Sequence, residues 1–265
     1  MPSHAVLWWH TSLRAIAVLN IALWSLSALA VTRKHPLIHG KTDAACYLQL
    51  LLSAVYVAGC VFRSVLPVVD IPRLVLIDSR LSSVLVGRSV ATVAELCFAA
   101  QWALFLHASA LSGGSPFVQA VSLAVVPLIL LAEASSWCAV LMTDQRAHAV
   151  ENSLWGLSAA LAVAGMLVIG PHRPATLYAP LIICGAAYLA FIVIYDVPMY
   201  WSRWLVDRAN GRKYLSLADG MVDVCRRWTV SYRWEDWRNE VPWMSLYFSF
   251  GVWSSIWLVY AQPGC

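Results

Sequence analysis

Charge is scarce in this sequence. Charged residues fill 12% of the 265 positions and hydrophobic residues 60%, whereas a soluble domain carries about 25% charge. With a mean hydropathy of +0.68 and long apolar runs, that scarcity excludes an ordinary soluble enzyme. It reads as an all-α, polytopic integral-membrane protein. Lysine is scarcer still. Lys34, Lys41 and Lys213 are the only three, and none lies in an apolar run, so a retinal-type Schiff base is excluded. The net charge of +4 is small and its basic residues sit between apolar runs, which is no footprint for nucleic acid.

Other absences narrow the chemistry. There is no glycine-rich phosphate loop and no nucleophile elbow. The seven histidines form no His-rich box and no Glu-x-x-His pair. His35-x3-His39 and His148-Ala-Val-Glu151 are weak metal-site candidates, so neither a metal nor a cofactor is expected. Cys46, Cys60, Cys97, Cys138, Cys184, Cys225 and Cys265 contain no CxxC, and five of them fall in apolar runs. An odd, scattered set argues against a disulfide framework and against zinc; cysteine in an apolar run behaves as a small hydrophobe.

What is present is a series of apolar runs of membrane length. A helix crossing a bilayer needs about 20 residues, which places seven spans near 13–31, 44–62, 84–107, 117–142, 150–169, 178–196 and 242–261. They form a single integral-membrane domain over 1–265. Two connections are long. "RSVLPVVDIPRLVLIDSRLSS", from Arg63 to Ser83, is partly apolar and is expected to lie along the interface. Tyr200 to Val241 is polar and is expected to form amphipathic interfacial helices such as Tyr200–Asn210 and Leu215–Trp228. Fourteen tryptophans suit headgroup anchoring. The segment around Trp234, Trp237 and Trp243 reads as an interfacial anchor, or alternatively as a lid over an inner cavity.

The basic residues orient the bundle. Arg14, Arg63, Arg73, Arg80, Arg146 and eight residues of the last long loop fall on one side; Arg33, Lys34, Lys41 and Arg173 fall on the other. The excess places the N-terminus in the cytoplasm and the C-terminus outside, although Arg33-Lys34 directly after the first span opposes it. The expected location is multi-pass, in a bacterial inner membrane or a eukaryotic endomembrane.

Two acids stand out because a charge at mid-bilayer costs about 2.5–3.5 kcal/mol. Glu95 lies in "VATVAELCFAAQWALFLHASAL" and Glu133 in "LILLAEASSWCAVLM". Counted from the inner ends of the third and fourth spans at 1.5 Å per residue, both sit roughly 14–16 Å deep, so antiparallel neighbours would bring them level. Like-charge repulsion and desolvation then keep at least one protonated near neutral pH. Arg88, seven residues before Glu95, falls on the same helical face about 10 Å away, with Thr92 between. Ser135, Ser136, Glu151, Asn152 and Asp196 gather toward the same inner half and Gln101 lies deeper, which together suggests a polar cavity open to the cytoplasmic leaflet. Trp102, Trp137 and Trp155 are placed to line it, and indole faces stabilise cations.

A carboxylic acid beside a Trp-lined pocket suits protonation of an alkene or epoxide. The expected function is therefore an intramembrane enzyme acting on a lipid or isoprenoid by acid/base chemistry, isomerase- or cyclase-like. Glu95, Glu133 and Arg88 are its candidate catalytic residues. Trp102, Trp137, Gln101, Ser136, Asn152, Trp155 and Asp196 are its candidate substrate contacts. The partners are membrane lipids, a hydrophobic small molecule, and a homo-oligomer or membrane partner, with no nucleic acid. The buried-acid, Trp-rich, seven-span plan resembles small integral-membrane isoprenoid cyclases in general style, an analogy of architecture carried by no shared motif. The alternatives are a proton-coupled transporter or channel using the same carboxylates, and a non-catalytic subunit of a membrane complex.

Overall fold

A computed structural model of the chain describes residues 3–35, 41–170, 174–226 and 228–265; His39 and Arg173 lie outside the described residues. Helix makes up 83% of it. Among the described residues seven helices are long and apolar enough to cross a membrane, the first six being α1 (His4–Lys34), α2 (Lys41–Val65), α3 (Val84–Gly113), α4 (Pro116–Met142), α5 (Gln145–Ile169) and α6 (Ala175–Ala209). Two short helices follow, α7 (Leu217–Arg226) and the single turn α8 (Trp234–Trp237), before the seventh long one, α9 (Val241–Ala261). Their outer surfaces expose Leu19, Ile21, Leu26, Leu123, Leu130, Leu131 and Ile194. So broad an apolar exterior would aggregate in water and suits acyl chains.

Helix ends set the order of the bundle. The Ser83 hydroxyl accepts from the Val86 amide to start α3, Ser115 caps α4 ahead of Pro116, and Asp144 caps α5. Gly114 takes the left-handed conformation that closes α3, with φ 65°, which glycine adopts without steric cost. Links this short force α3, α4 and α5 into consecutive antiparallel hairpins. Gly59 brings α2 against α3, because a Cβ there would sit 2.6 Å from the Ala94 Cβ.

The core divides in two. Phe105, Leu106, Val121, Ile129 and Met166 pack among α3, α4, α5 and α6. Leu13, Tyr56, Trp237, Phe248 and Val252 pack among α1, α2 and α9. Both α6 and α9 carry a wide π turn, Ile192–Asp196 and Tyr247–Gly251, a feature frequent at functional sites.

The two long connections differ from expectation. Within Arg63–Ser83, Val68–Val69 (β1) and Leu74–Val75 (β2) pair antiparallel, β2 pairs in parallel with Thr229–Val230 (β3), and Val68, Val69, Leu74 and Val75 are buried while Ile77 and Leu81 stay exposed. Arg73 holds this small sheet in place. It is fully buried, its Nε is 2.5 Å from Asp223 Oδ2, and its Nη2 donates to the Val140 carbonyl at 2.9 Å. Tyr200–Asn210 is no separate helix but the continuation of α6, whose 35 residues reach about 52 Å and outrun the roughly 30 Å hydrocarbon core. The anchor expected around Trp234 is only one turn. Trp237 is a core residue, packed on Trp9 with ring centroids 5.6 Å apart and donating to the Ser231 carbonyl at 2.9 Å.

The cysteine expectation is also corrected. Cys46 and Cys265 form a disulfide across 219 positions of sequence. Spacing had nothing to say about it, because the pairing exists only once α9 packs on α2.

Candidate functional site

Because α3, α4 and α5 follow one another by tight turns, their polar positions converge at one level. Arg88 and Glu95 share a face of α3, two turns apart, and Glu133 arrives from α4. Glu151, one and a half turns into α5, completes the group. The Arg88 guanidinium lies at its centre. Its Nη2 is 2.8 Å from Glu133, 3.4 Å from Glu95 and 3.4 Å from Glu151, and all four side chains are buried. The three carboxylates each bring an oxygen to within 4.8 Å of the other two. That spacing suits a cation, and Arg88 supplies the countercharge at that place. Three of the chain's five glutamates are committed here.

A hydrogen-bonded chain holds Glu133 from behind. The Trp137 indole N–H donates to Thr92 Oγ1 at 3.1 Å, and the Thr92 hydroxyl donates to Glu133 Oε2 at 2.5 Å. On the other flank His148 Nδ1 is 2.7 Å from Glu151 Oε2, and its ring lies against Tyr200 with centroids 5.0 Å apart.

Two cavities meet beside this cluster. The first, of about 60 Å³, is polar; Arg88, Glu95, His148, Glu151, Asn152 and Asp196 are among its walls. The second, of about 280 Å³, is almost wholly apolar, with Phe98, Trp102, Ile129, Met166 and Phe191 among its walls. Trp155 and Tyr247 border both. One face of α3 serves the pair: Arg88 and Glu95 meet the polar chamber, while Phe98 and Trp102, one and two turns on, meet the apolar cavity. The apolar cavity also reaches the outer surface between α6 and α9, since its walls include Ile183, 67% exposed, and Phe250, 51% exposed.

The expected site residues divide accordingly. Glu95, Arg88, Asn152, Asp196 and Trp155 line the polar chamber, and Trp102 lines the apolar cavity. Glu133 bonds to Arg88 but is not among the chamber's lining residues. Three expected contacts lie elsewhere. Trp137 is spent on Thr92. Ser136 is fully buried in helix packing. Gln101 belongs to a separate buried network, its Nε2 donating to the Gln49 and Ser255 carbonyls at 3.1 and 3.2 Å while Ser255 Oγ donates to its Oε1 at 2.6 Å. Helical position alone did not separate residues aimed at the chamber from those aimed at a neighbouring helix.

Apart from Trp243, whose segment was alternatively expected to cover an inner cavity, the far wall of the chamber was missed. It is built by Arg63 from α2, Asp70 from the small sheet, Tyr200 and Arg203 from α6, and Glu240 and Trp243 at the start of α9. Arg203 donates to Glu240 at 2.7 Å and the Trp243 indole donates to the same carboxylate at 2.6 Å. A sequence signal for its α9 part was the spacing Glu240, Trp243, Tyr247, which puts all three on one helical face. Several buried atoms of the residues lining this space have no hydrogen-bond partner among the described residues: Arg63 Nε, Asp70 Oδ1, Gln145 Oε1 and Asp196 Oδ1.

No family model matches the chain, and no curated protein or solved structure proves significantly similar to it. Function must therefore be argued from the site alone.

Proposed function

We propose that the chain is an integral-membrane enzyme acting on a lipid or isoprenoid by carboxylate acid/base chemistry, as an isomerase or cyclase. The observation that carries this is the shared wall at Trp155 and Tyr247, where a carboxylate-lined polar chamber adjoins a large apolar cavity with a side opening toward lipid. A hydrophobic substrate enters between α6 and α9, its chain fills the apolar cavity, and its reacting end meets Glu95.

In this mechanism Glu95 is the general acid. It gives its proton to an alkene carbon or an epoxide oxygen; the electron pair of the π bond or of the breaking C–O bond leaves a carbocation. The indole and phenol faces of Trp155, Trp243 and Tyr247 stabilise that cation. The Glu151–His148 pair then takes a proton from the adjacent carbon, so the substrate rearranges with no net change in composition. Glu133, expected as the partner base, acts here as a positioning residue that fixes Arg88, and Arg88 orients Glu95 and Glu151. A transporter is the weaker alternative, because the half of the bundle beyond the cavity is closed by Phe105, Leu106, Ala110, Val118 and Ile169, all buried.

Orientation belongs to the same proposal. The basic excess puts the chamber end at the cytoplasm. The Cys46–Cys265 disulfide lies at the opposite end, and disulfides persist in oxidising compartments. The far end of α6 and α7 would then lie along the cytoplasmic interface.

The experiment is proton incorporation in heavy water. Membranes containing the protein are incubated in D2O with a panel of polyprenyl alkenes and epoxides, and products are analysed by mass spectrometry. Wild-type protein should give rearranged products, deuterated wherever a carbon is protonated; Glu95→Gln and Glu151→Gln should give none, while remaining folded in detergent. Undiminished product from Glu95→Gln would overturn the mechanism.

A further inference from the structure

The polar chamber has three arginines on its wall, and two of them are matched. Arg88 sits among three glutamates and Arg203 on Glu240. Arg63 is different. It is 5% exposed, and among the described residues no carboxylate lies within ion-pair distance. Its guanidinium instead lies over two aromatic faces, 5.5 Å from the Trp243 centroid and 5.8 Å from that of Phe248. Its Nε has no acceptor.

A buried cation that no carboxylate contacts is expensive, since removing a charge from water costs several kcal/mol that ring faces offset only in part. Guanidinium is also the side chain whose planar fork matches an oxyanion with two parallel hydrogen bonds. Contact with the Trp243 and Phe248 faces holds the Arg63 head in place, so little rotamer entropy is lost when an anion arrives.

We infer that Arg63 is an anion seat, and that the substrate is an amphiphile with a singly anionic oxygen head, a carboxylate or enolate, on a hydrocarbon chain. The head docks on Arg63 in the polar chamber while the chain passes Trp155 and Tyr247 into the apolar cavity. This rests on the proposed function and names its substrate class. It also gives Arg63 a role separate from proton transfer: it holds the head, so that a double bond or epoxide at a fixed distance along the chain comes to Glu95.

The test uses the full chain in nanodiscs of zwitterionic lipid, with dodecanoate, its methyl ester and acetate as probes, read by the shift in thermal midpoint and by isothermal titration. Dodecanoate should raise the midpoint and bind at least tenfold tighter than the methyl ester. Acetate, the same head without a chain, should have little effect, which separates a chained anion from a free one. Arg63→Met should bring dodecanoate down to the ester's level, and Arg63→Lys should retain part of the difference. Glu95→Gln should bind dodecanoate as the wild type does, so that a loss of turnover and a loss of the anion seat are read independently. Equal binding of acid and ester by the wild type, or unchanged dodecanoate binding by Arg63→Met, overturns the proposal. If Arg63→Met does not fold, the acid–ester comparison on the wild type and the Arg63→Lys response decide it.

Discussion

Replacing Arg88 by methionine removes one charge and leaves a side chain of similar reach in place. The consequence can be worked from the cluster. A unit pair about 4 Å apart in a medium of effective dielectric about 20 attracts by about 4 kcal/mol, and Arg88 makes three contacts of 2.8 to 3.4 Å. Much of that attraction is cancelled by the cost of burying the guanidinium, so the net loss should resemble that for other broken buried pairs, about 3–5 kcal/mol. The sign of a second substitution is more informative than the size of the first. In the wild type, Glu133→Gln weakens bonds from Arg88 and Thr92 and should destabilise. In the Arg88→Met background it removes one of three carboxylates that now face each other without a cation, and should be neutral or stabilising. Stability measured in nanodiscs for the four members of this cycle should give a coupling of about 1–3 kcal/mol. A methionine variant within about 0.5 kcal/mol of the wild type, or a Glu133→Gln cost identical in both backgrounds, would refute Arg88 as the electrostatic centre of the site.

Further predictions concern the cavity and the frame. Ala159 lines the apolar cavity, so Ala159→Leu should occupy substrate space and abolish turnover of long-chain substrates while leaving the thermal midpoint unchanged or raised. Trp155→Ala removes the wall between the two spaces and should widen the range of chain lengths accepted, measured as relative kcat/KM across a homologous series. A Cβ on Gly220 would fall on the Leu141 carbonyl, where backbone cannot swing aside, so Gly220→Ala should cost about 1–3 kcal/mol, seen as a lower midpoint. Cys46→Ser should cost about 2–4 kcal/mol; on a denaturing gel the wild type should change mobility with reductant and the variant should not.

Sequence alone determined the class of molecule, because a helix in hydrocarbon must be about 20 residues long and apolar, and that constraint is written locally at every span. It also exposed Glu95, Glu133 and Arg88, since charge in an apolar run is legible one residue at a time, and depth along a helix follows from a fixed rise. Only the tertiary structure decided which polar residues share a space. Gln101 and Ser136 have the same local signature as Asn152, yet face neighbouring helices and not the chamber. Arg63 and Asp70 lie more than a hundred positions before Arg203 and Glu240, and the four form one wall only when α2, α6, α9 and the small sheet converge. The same holds for Cys46 and Cys265. Burial along a helix is a short-range property of sequence, whereas contact between helices is fixed by the packing of the whole chain.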